Sequence, residues 1–469
     1  MSAPAVLGWT LLSAIAPGAA HLRAGRRRTG LVLLGCYAAG LLALLLAYLT
    51  VDQVTLGARL IADSSLLTTL MVALAVLGLA WFALIIRSFM VLSPGRLPQR
   101  QQMLMGTLAG LLAVAVLTPF AAVAQVALAL QSMTDGIFVA PPEAATEQQS
   151  GPADPWASRE RVNILLLGGD ADDNRTGVRT DSMNLASIDV ATGNTVLMSL
   201  PRNLEDVRFR PGTPMAQKFP TGFRLPPDPG GGRSDLLNSV WEYADAHPEL
   251  FGGRAHQGAK VLMDTIGYTL GVKVDWYALV NMWGFARLID AIGGVTLTVE
   301  RDVVFGKYNE GLVKAGTRRL KGADAMWYAR SRTYSDDYTR MRRQRCVISA
   351  LLEQADPATV LSRFNKVAMA TKELIRTDIP RTMLANLVPL AVKVQSAKVT
   401  SIQFVPPLIN TGYPDYDKIK AIAAKAIRDS GRPAPVAATA SSAPKPKKSV
   451  TATPSTNPTK SLGDGCGGL

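Results

Sequence analysis

The chain has 469 residues and a formal net charge of +14, and 48% of its residues are hydrophobic. That length allows one large core with appendages, or two to three ordinary domains. The apolar excess is concentrated in the first 130 residues, which excludes a wholly soluble protein, and the basic residues in short loops between apolar runs read as topology signals rather than a nucleic-acid surface.

Three uncharged runs, Gly30–Val51, Leu66–Ile86 and Leu104–Leu130, each meet the roughly 20 apolar residues that a spanning helix needs. An earlier run, Ala3–Leu22, is also uncharged but is interrupted by Pro4 and Pro17, so it either spans or lies at the interface. The expectation is a membrane region over residues 1–130 with three or four transmembrane helices. Arg23, Arg26, Arg27 and Arg28 precede the first certain span, and Arg87, Arg96 and Arg100 separate the second from the third. The intervening loop holds only Arg59, so the positive-inside bias puts both Arg-rich segments in the cytoplasm and everything after Leu130 outside. This gives a multi-pass protein of the cell membrane with an extracytoplasmic domain.

Residues 131–160 are rich in Pro, Ala, Glu and Gln and read as a flexible linker. A compact domain is expected over 161–428, followed by a disordered tail over 429–469 rich in Pro, Ala, Ser, Thr and Lys. Within the domain, VNILLLGG is a short apolar run closed by glycines, typical of a buried strand. Ser182–Asp189 and Thr195–Leu200 are strand-like and joined by ATGN, a hairpin signal. Helical periodicity follows at Asp235–Ala246, Gly258–Leu270, Met282–Ala291 and Tyr338–Gln354, with strand-like runs at Val295–Val299 and Val399–Val405. The fold class expected is α/β: a single domain with a central β-sheet flanked by helices, preceded by an N-terminal transmembrane helix bundle. LPPDPGGGR (Leu225–Arg233) reads as a flexible loop.

Two constellations carry chemistry. Asp170 ends the buried strand and Asp181 opens the next, so one sheet edge can hold both carboxylates, and a hard divalent ion is the usual reason to pair them. The alternative is that Asp170 caps a turn. Arg179 lies between them, and Arg202 follows Pro201 at a strand end. The second is YARSRTYSDDYTRMRRQRCVISALLEQ. If ARSR is extended, Arg330 and Arg332 point the same way. Asp336 and Asp337 can cap a helix. Laid out at about 100° per residue, that helix puts Arg340 and Gln344 in the middle of its apolar face, while Arg342, Arg345, Ser349 and Glu353 fall opposite. A buried guanidinium needs an anion, either a phosphate ligand or the carboxylates of Asp336 and Asp337.

Cys36, Cys346 and Cys466 show no metal-ligand spacing and suggest no disulfide framework, and His21, His247 and His256 are not spaced as ligands. There is no GxSxG elbow and no Walker A sequence.

NILLLGGDADDNRTGVRTDSMNLASID, SLPRN, DWYALVNMWGFARLIDAIGGV, LKGADAMWYARSRTYSDDYTRMRRQR and INTGYPDY together resemble the LytR–CpsA–Psr family, in its actinobacterial style, over about Arg161 to Tyr416. The resemblance implies a phosphotransferase that moves a glycopolymer from a polyprenyl-diphosphate carrier to peptidoglycan, with magnesium or manganese. It implies Asp170 and Asp181 as metal-linked carboxylates. Arg179, Arg202, Arg330, Arg332 and Arg340 would be catalytic and hold the diphosphate with Gln344 and Asp337. The chain departs from the family pattern at Asn203, where Pro-Arg-Asp is common. A lipid-diphosphate pyrophosphatase and a non-catalytic envelope regulator remain as alternatives, with Asp336 or Asp337 as candidate general base. Nucleic acid is not an expected partner.

Overall fold

In this computed structural model the described residues are 2–92, 97–137, 156, 159–170, 178–227, 232–355, 375–431 and 459–466. Most of the expected linker, residues 228–231 of the glycine-rich loop, residues 432–458 of the expected tail and the side chain of Asp170 lie outside them. The chain divides into two units: residues 1–135 with 381–385, and residues 136–380 with 386–469.

The first unit is helical: α1 (Ala3–Ile15), α2 (Ala19–Arg23), α3 (Arg27–Thr50), α4 (Gln53–Ala62), α5 (Ser64–Val91) and α6 (Gln99–Ile137). Arg27–Thr50, Ser64–Val91 and Gln99–Leu128 are long and apolar enough to cross a membrane, with mean hydropathies of 2.3, 2.6 and 2.2. Many of their leucines, among them Leu31, Leu44, Leu49 and Leu79, are exposed. A helix apolar on its outer face is made for lipid. The first apolar run does not form one long helix. α1 has 13 residues, about 20 Å at 1.5 Å per residue, against a core of about 30 Å, and Gly18 turns the chain at φ +106°.

The second unit is built on a seven-stranded mixed sheet. β1 (Arg161–Asp170), β2 (Arg179–Asp189), β3 (Thr195–Leu200) and β4 (Trp276–Asn281) are joined by β9 (Ile375–Thr377), β10 (Val399–Gln403) and β11 (Lys460–Ser461), in the order β11-β10-β3-β2-β1-β4-β9. β1 is an interior strand, antiparallel to β2 and parallel to β4; Leu165 and Leu167 are buried on one face, while Ile164 and Leu166 on the other are half-buried. The expected Val295–Val299 strand, β5, is not part of this sheet. It pairs with β8 (Gly316–Leu320), beside a second ribbon of β6 (Val303–Phe305) and β7 (Gly311–Val313).

Following the short α7 (Pro214–Lys218), α8 (Val240–Ala246), α9 (Gly258–Leu270) and the helix Tyr416–Ser430 cover one face of the sheet. Leu165, Leu167, Met183, Leu185 and Met198 meet Leu262, Ile266 and Ile419 there. The other face receives α10 (Met282–Ala291), α11 (Gly322–Arg330) and α12 (Asp337–Gln354). These are packed less completely, and the space they leave holds the candidate site.

The C-terminus departs from the expectation of an exposed tail. Residues 459–466 return to the domain: β11 pairs antiparallel with β10, and Cys466 is disulfide-bonded to Cys346 of α12, 120 residues away. Arg345 and Ser349, expected on the exposed side of α12, are buried beneath this strap. Arg342 stays outside, paired with Glu300 at 2.9 Å.

Candidate active site

The site forms where β1 ends, β2 begins and α12 starts. Gly168 pairs with Ser182 but Gly169 pairs with Thr180, so Asp181 is the extra residue of a β-bulge. Bulges turn a side chain away from the regular alternation, and this one presents the Asp181 carboxylate at the sheet edge. Asp336 caps α12 by accepting from the Thr339 amide at 2.6 Å, which fixes where the helix starts. Arg340 then falls one turn in, on the face toward the sheet.

Three guanidiniums meet two carboxylates at this edge. Arg202 donates to Asp181 Oδ1 in a short contact, and its Nε lies 3.5 Å from Asp337 Oδ1. Arg332 Nε lies 3.1 Å from Asp337 Oδ1, and its Nη2 is 3.9 Å from Asp181 Oδ1. Arg340 Nη2 sits 3.2 Å from Asp337 Oδ1 and donates to the Asp181 carbonyl at 2.8 Å. The group therefore holds one positive charge in excess. Burial tends to raise the Asp181 carboxyl, but Arg202 first, then Arg340 and Arg332, hold it below the usual carboxylate range. Burial pushes the Arg340 guanidinium down to about 10, with Asp337 opposing, so it stays charged at neutral pH. Arg340 is 2% exposed, and its Nε has no hydrogen-bond partner among the described residues. A buried donor left unpaired costs about 1–3 kcal/mol, which an anion docking there would recover.

The remaining candidates divide. Gln344, one turn beyond Arg340, donates to the Ala329 carbonyl at 3.3 Å. The extended reading of ARSR fails, because Arg330 is the last residue of α11 and the chain leaves the helix at Ser331. Arg330 still lines the pocket, its guanidinium 5.4 Å from the Trp327 ring. Arg179 stands opposite Asp170 in register and pairs with Glu242 of α8 at 2.8 Å. Sequence reasoning missed Glu242, and it missed Arg343, which is buried and donates to the Tyr328 carbonyl and to Ser335 Oγ. Arg343 thereby ties the Arg332 loop to α12. The signal was available in RMRRQR, since a helix so dense in arginine must bury some of them.

Behind this charged edge lies a cavity of about 270 Å³. Asp181, Arg330, Arg340 and Gln344 line its polar end, and Leu166, Val280, Phe285, Leu288, Met326 and Leu351 line its apolar walls. Gly168 and Gly169 line it too, and a Cβ on Gly168 would stand 3.0 Å from Ser182 Cβ, another lining residue. One polar strip crosses the floor: Ser199 Oγ donates to Asn184 Oδ1 at 2.5 Å, and Asn184 Nδ2 donates to Ser182 Oγ at 2.9 Å. An anionic mouth partner joined to an apolar tail is the ligand shape that this arrangement fits.

Residues 139–416 match the LytR_cpsA_psr family. The chain belongs to that family. Biofilm regulatory protein A of Streptococcus mutans is 28% identical to this LytR_cpsA_psr protein over 235 residues, 48% of this chain and 51% of its own length. The polyisoprenyl-teichoic acid–peptidoglycan teichoic acid transferase TagU of Enterococcus faecalis is 28% identical over 228 residues, 47% of this chain and 63% of its own. The chain thus spans about half to just under two thirds of these relatives. The solved structure of protein gbs0355 from Streptococcus agalactiae aligns with a TM-score of 0.44 at 22% identity, covering 58% of this chain and 89% of that one.

Proposed function

We propose that this protein is a cell-envelope phosphotransferase that takes a glycopolymer from a polyprenyl-diphosphate carrier and joins it to peptidoglycan. The observation that carries this reading is the junction of the Arg202–Arg332–Arg340 cluster with an apolar cavity, one element for a diphosphate and one for a prenyl chain. Guanidinium forks suit phosphate oxygens, and the excess positive charge favours an anion. The family supplies a relative named as a transferase of polyisoprenyl-linked teichoic acid.

In this reading Arg340 and Arg332 hold the diphosphate, with Arg330 and Gln344 at the start of the tail. The prenyl chain occupies the cavity between β1, α10 and α12. An acceptor sugar hydroxyl attacks the glycan-linked phosphorus, the anhydride P–O bond breaks, polyprenyl phosphate leaves, and the hydroxyl proton passes to solvent or a base. The arginines offset charge that builds on the leaving phosphate. Asp336 caps α12 and Asp337 faces three arginines, so both are committed to structure more than to proton transfer.

A magnesium or manganese ion at Asp170 and Asp181 is part of this reading: the two residues lie on adjacent paired strands, although the Asp181 carboxylate is itself engaged by Arg202 and Arg332. Such an ion would neutralise diphosphate charge. In this reading the domain lies outside the cell, which the positive-inside bias of the Arg-rich loops and the Cys346–Cys466 disulfide, suited to an oxidising compartment, both support.

The full chain in nanodiscs, supplied with magnesium, a polyprenyl-diphosphate oligosaccharide and peptidoglycan, should attach glycan covalently to the wall polymer. Release of glycan phosphate into water at the same rate with or without acceptor would mean a pyrophosphatase instead. Binding without turnover would mean a regulator.

A further inference from the structure

The β6–β7 ribbon has two unlike faces. Val303 and Val313, opposite each other in register, are buried in one cluster with Tyr328 of α11 and Val347 of α12. Side chains alternate across a strand, so the next pair, Val304 and Leu312, points outward, and Leu312 is 45% exposed. Tyr308 at the tip is 79% exposed. A built turn holds it there: Gly306 and Asn309 take φ of +97° and +61°, and the Glu310 carboxylate accepts from the Tyr308 amide at 2.9 Å. The charge around it is one-sided. Residues 301–321 carry six lysines and arginines, all exposed, against Asp302 and Glu310. Both acids are engaged within this stretch, Asp302 by the Ala315 amide at 2.7 Å and Glu310 at the turn. Lys307 Nζ lies 5.4 Å from the Tyr308 ring centroid. The ribbon is also tied to the arginine cluster. Ser331, between Arg330 and Arg332, donates through its Oγ to the Val304 carbonyl. Phe305 stacks on Trp327 with ring centroids 4.9 Å apart, and the Arg330 guanidinium lies over the Trp327 ring.

We propose that the β6–β7 ribbon docks the domain on the surface of an anionic phospholipid bilayer, with Tyr308 and Leu312 at headgroup level and the surrounding cations on lipid phosphates. An amphipathic ring, an outward leucine and basic side chains around them are the composition that settles at a membrane interface. An anionic wall polymer would satisfy the cations but offers no apolar phase to Leu312 and Val304. The purpose of the contact rests on the proposed lipid-diphosphate substrate. A carrier lipid keeps its phosphates at the bilayer surface, so docking through this ribbon brings Arg330 and Arg332, to which it is tied, to the depth of those phosphates.

The test uses the full chain in nanodiscs of phosphatidylglycerol and phosphatidylcholine, with Cys36→Ser removing a free thiol and the Cys346–Cys466 disulfide intact. A bimane label is attached at Tyr308→Cys and, as a control, at Lys425→Cys on the helix Tyr416–Ser430, which covers the opposite face of the sheet. The discs carry a phospholipid with a nitroxide in its headgroup region as quencher. The label at 308 should be quenched and the label at 425 should not. Adding Lys307→Gln should lower the docked-to-free ratio read from the quenching by about fivefold, the worth of one cation near an anionic surface. Discs of phosphatidylcholine alone should lower it further. If Tyr308→Cys disturbs the turn, a label at Leu312→Cys gives the same reading. Equal quenching at 308 and 425, or quenching at 308 that ignores lipid charge, would overturn the proposal. Shielding of the 308 label by added peptidoglycan but not by lipid would assign the ribbon to the wall and overturn it as well. Quenching as expected in a chain that binds no prenyl diphosphate would leave the docking surface standing and remove the substrate reading instead.

Discussion

Arg340 combines near-complete burial, a charge and one unpaired Nε donor at the mouth of an apolar cavity. Replacing it should damage function far more than folding, because Asp337 keeps Arg202 and Arg332 as partners. Arg340→Ala is expected to lower transfer by about 100-fold or more while the unfolding transition stays cooperative. Arg340→Lys should recover only part, since an ammonium cannot reproduce the fork. Transfer near the wild-type rate in Arg340→Ala would remove this residue from the site. Arg340 was legible in the sequence because helical periodicity alone puts it on an apolar face, where charge demands a reason. The bulge at Asp181 was not, since it depends on how β2 pairs with β1. The alternation read into ARSR failed because the helical period of GADAMWYAR runs through Arg330 and stops there.

At the scale of elements, β4 and the segment after β9 meet through Asp378, whose Oδ1 accepts from the Tyr277 amide at 2.7 Å. Burial pushes this carboxyl up to about 6, against an ordinary value of 3.8. The folded state therefore holds the proton more tightly than the unfolded chain. That contribution to stability is full below about pH 4 and is lost as pH rises through about 6. Asp378→Asn keeps an acceptor and removes the titration. Its melting temperature should exceed that of wild type at pH 7.5, with the gap closing as pH falls toward 4. A gap independent of pH would refute the assignment. The strap makes a second element-scale prediction. Reducing Cys346–Cys466 opens a 120-residue connection, and the unfolding free energy should fall by about 2–4 kcal/mol. Unchanged denaturant midpoints with and without reductant would count against it. Nothing in the sequence pointed to this bond. The composition around residues 432–458 reads as unstructured, and pairing two cysteines requires geometry that spacing does not supply.

For the whole molecule, individual elements follow closely from apolar runs and their periods, since α9, α10 and β5 span the residues that the sequence predicts, whereas the order of strands in the sheet does not. What local patterns could not reach was the layer between sheet and α12, which depends on packing left incomplete. The membrane unit yields a prediction of its own. A membrane-impermeant thiol reagent should label a cysteine placed at Lys314, in the domain, on intact cells. One placed at Arg100, at the start of α6, should react only after lysis. The reverse pattern would invert the topology and contradict the proposed transfer to an extracellular acceptor.

The central claim is that a cationic mouth and an apolar cavity act together on one amphiphilic diphosphate. The most direct measurement compares the binding of geranylgeranyl diphosphate and geranylgeraniol to the wild-type chain and to Arg340→Ala in nanodiscs. The claim predicts that wild type binds the diphosphate at least about tenfold more tightly than the alcohol, and that Arg340→Ala removes most of that difference while leaving the alcohol unaffected. Equal binding of the two compounds by wild type, or a preference that survives the loss of Arg340, would contradict it.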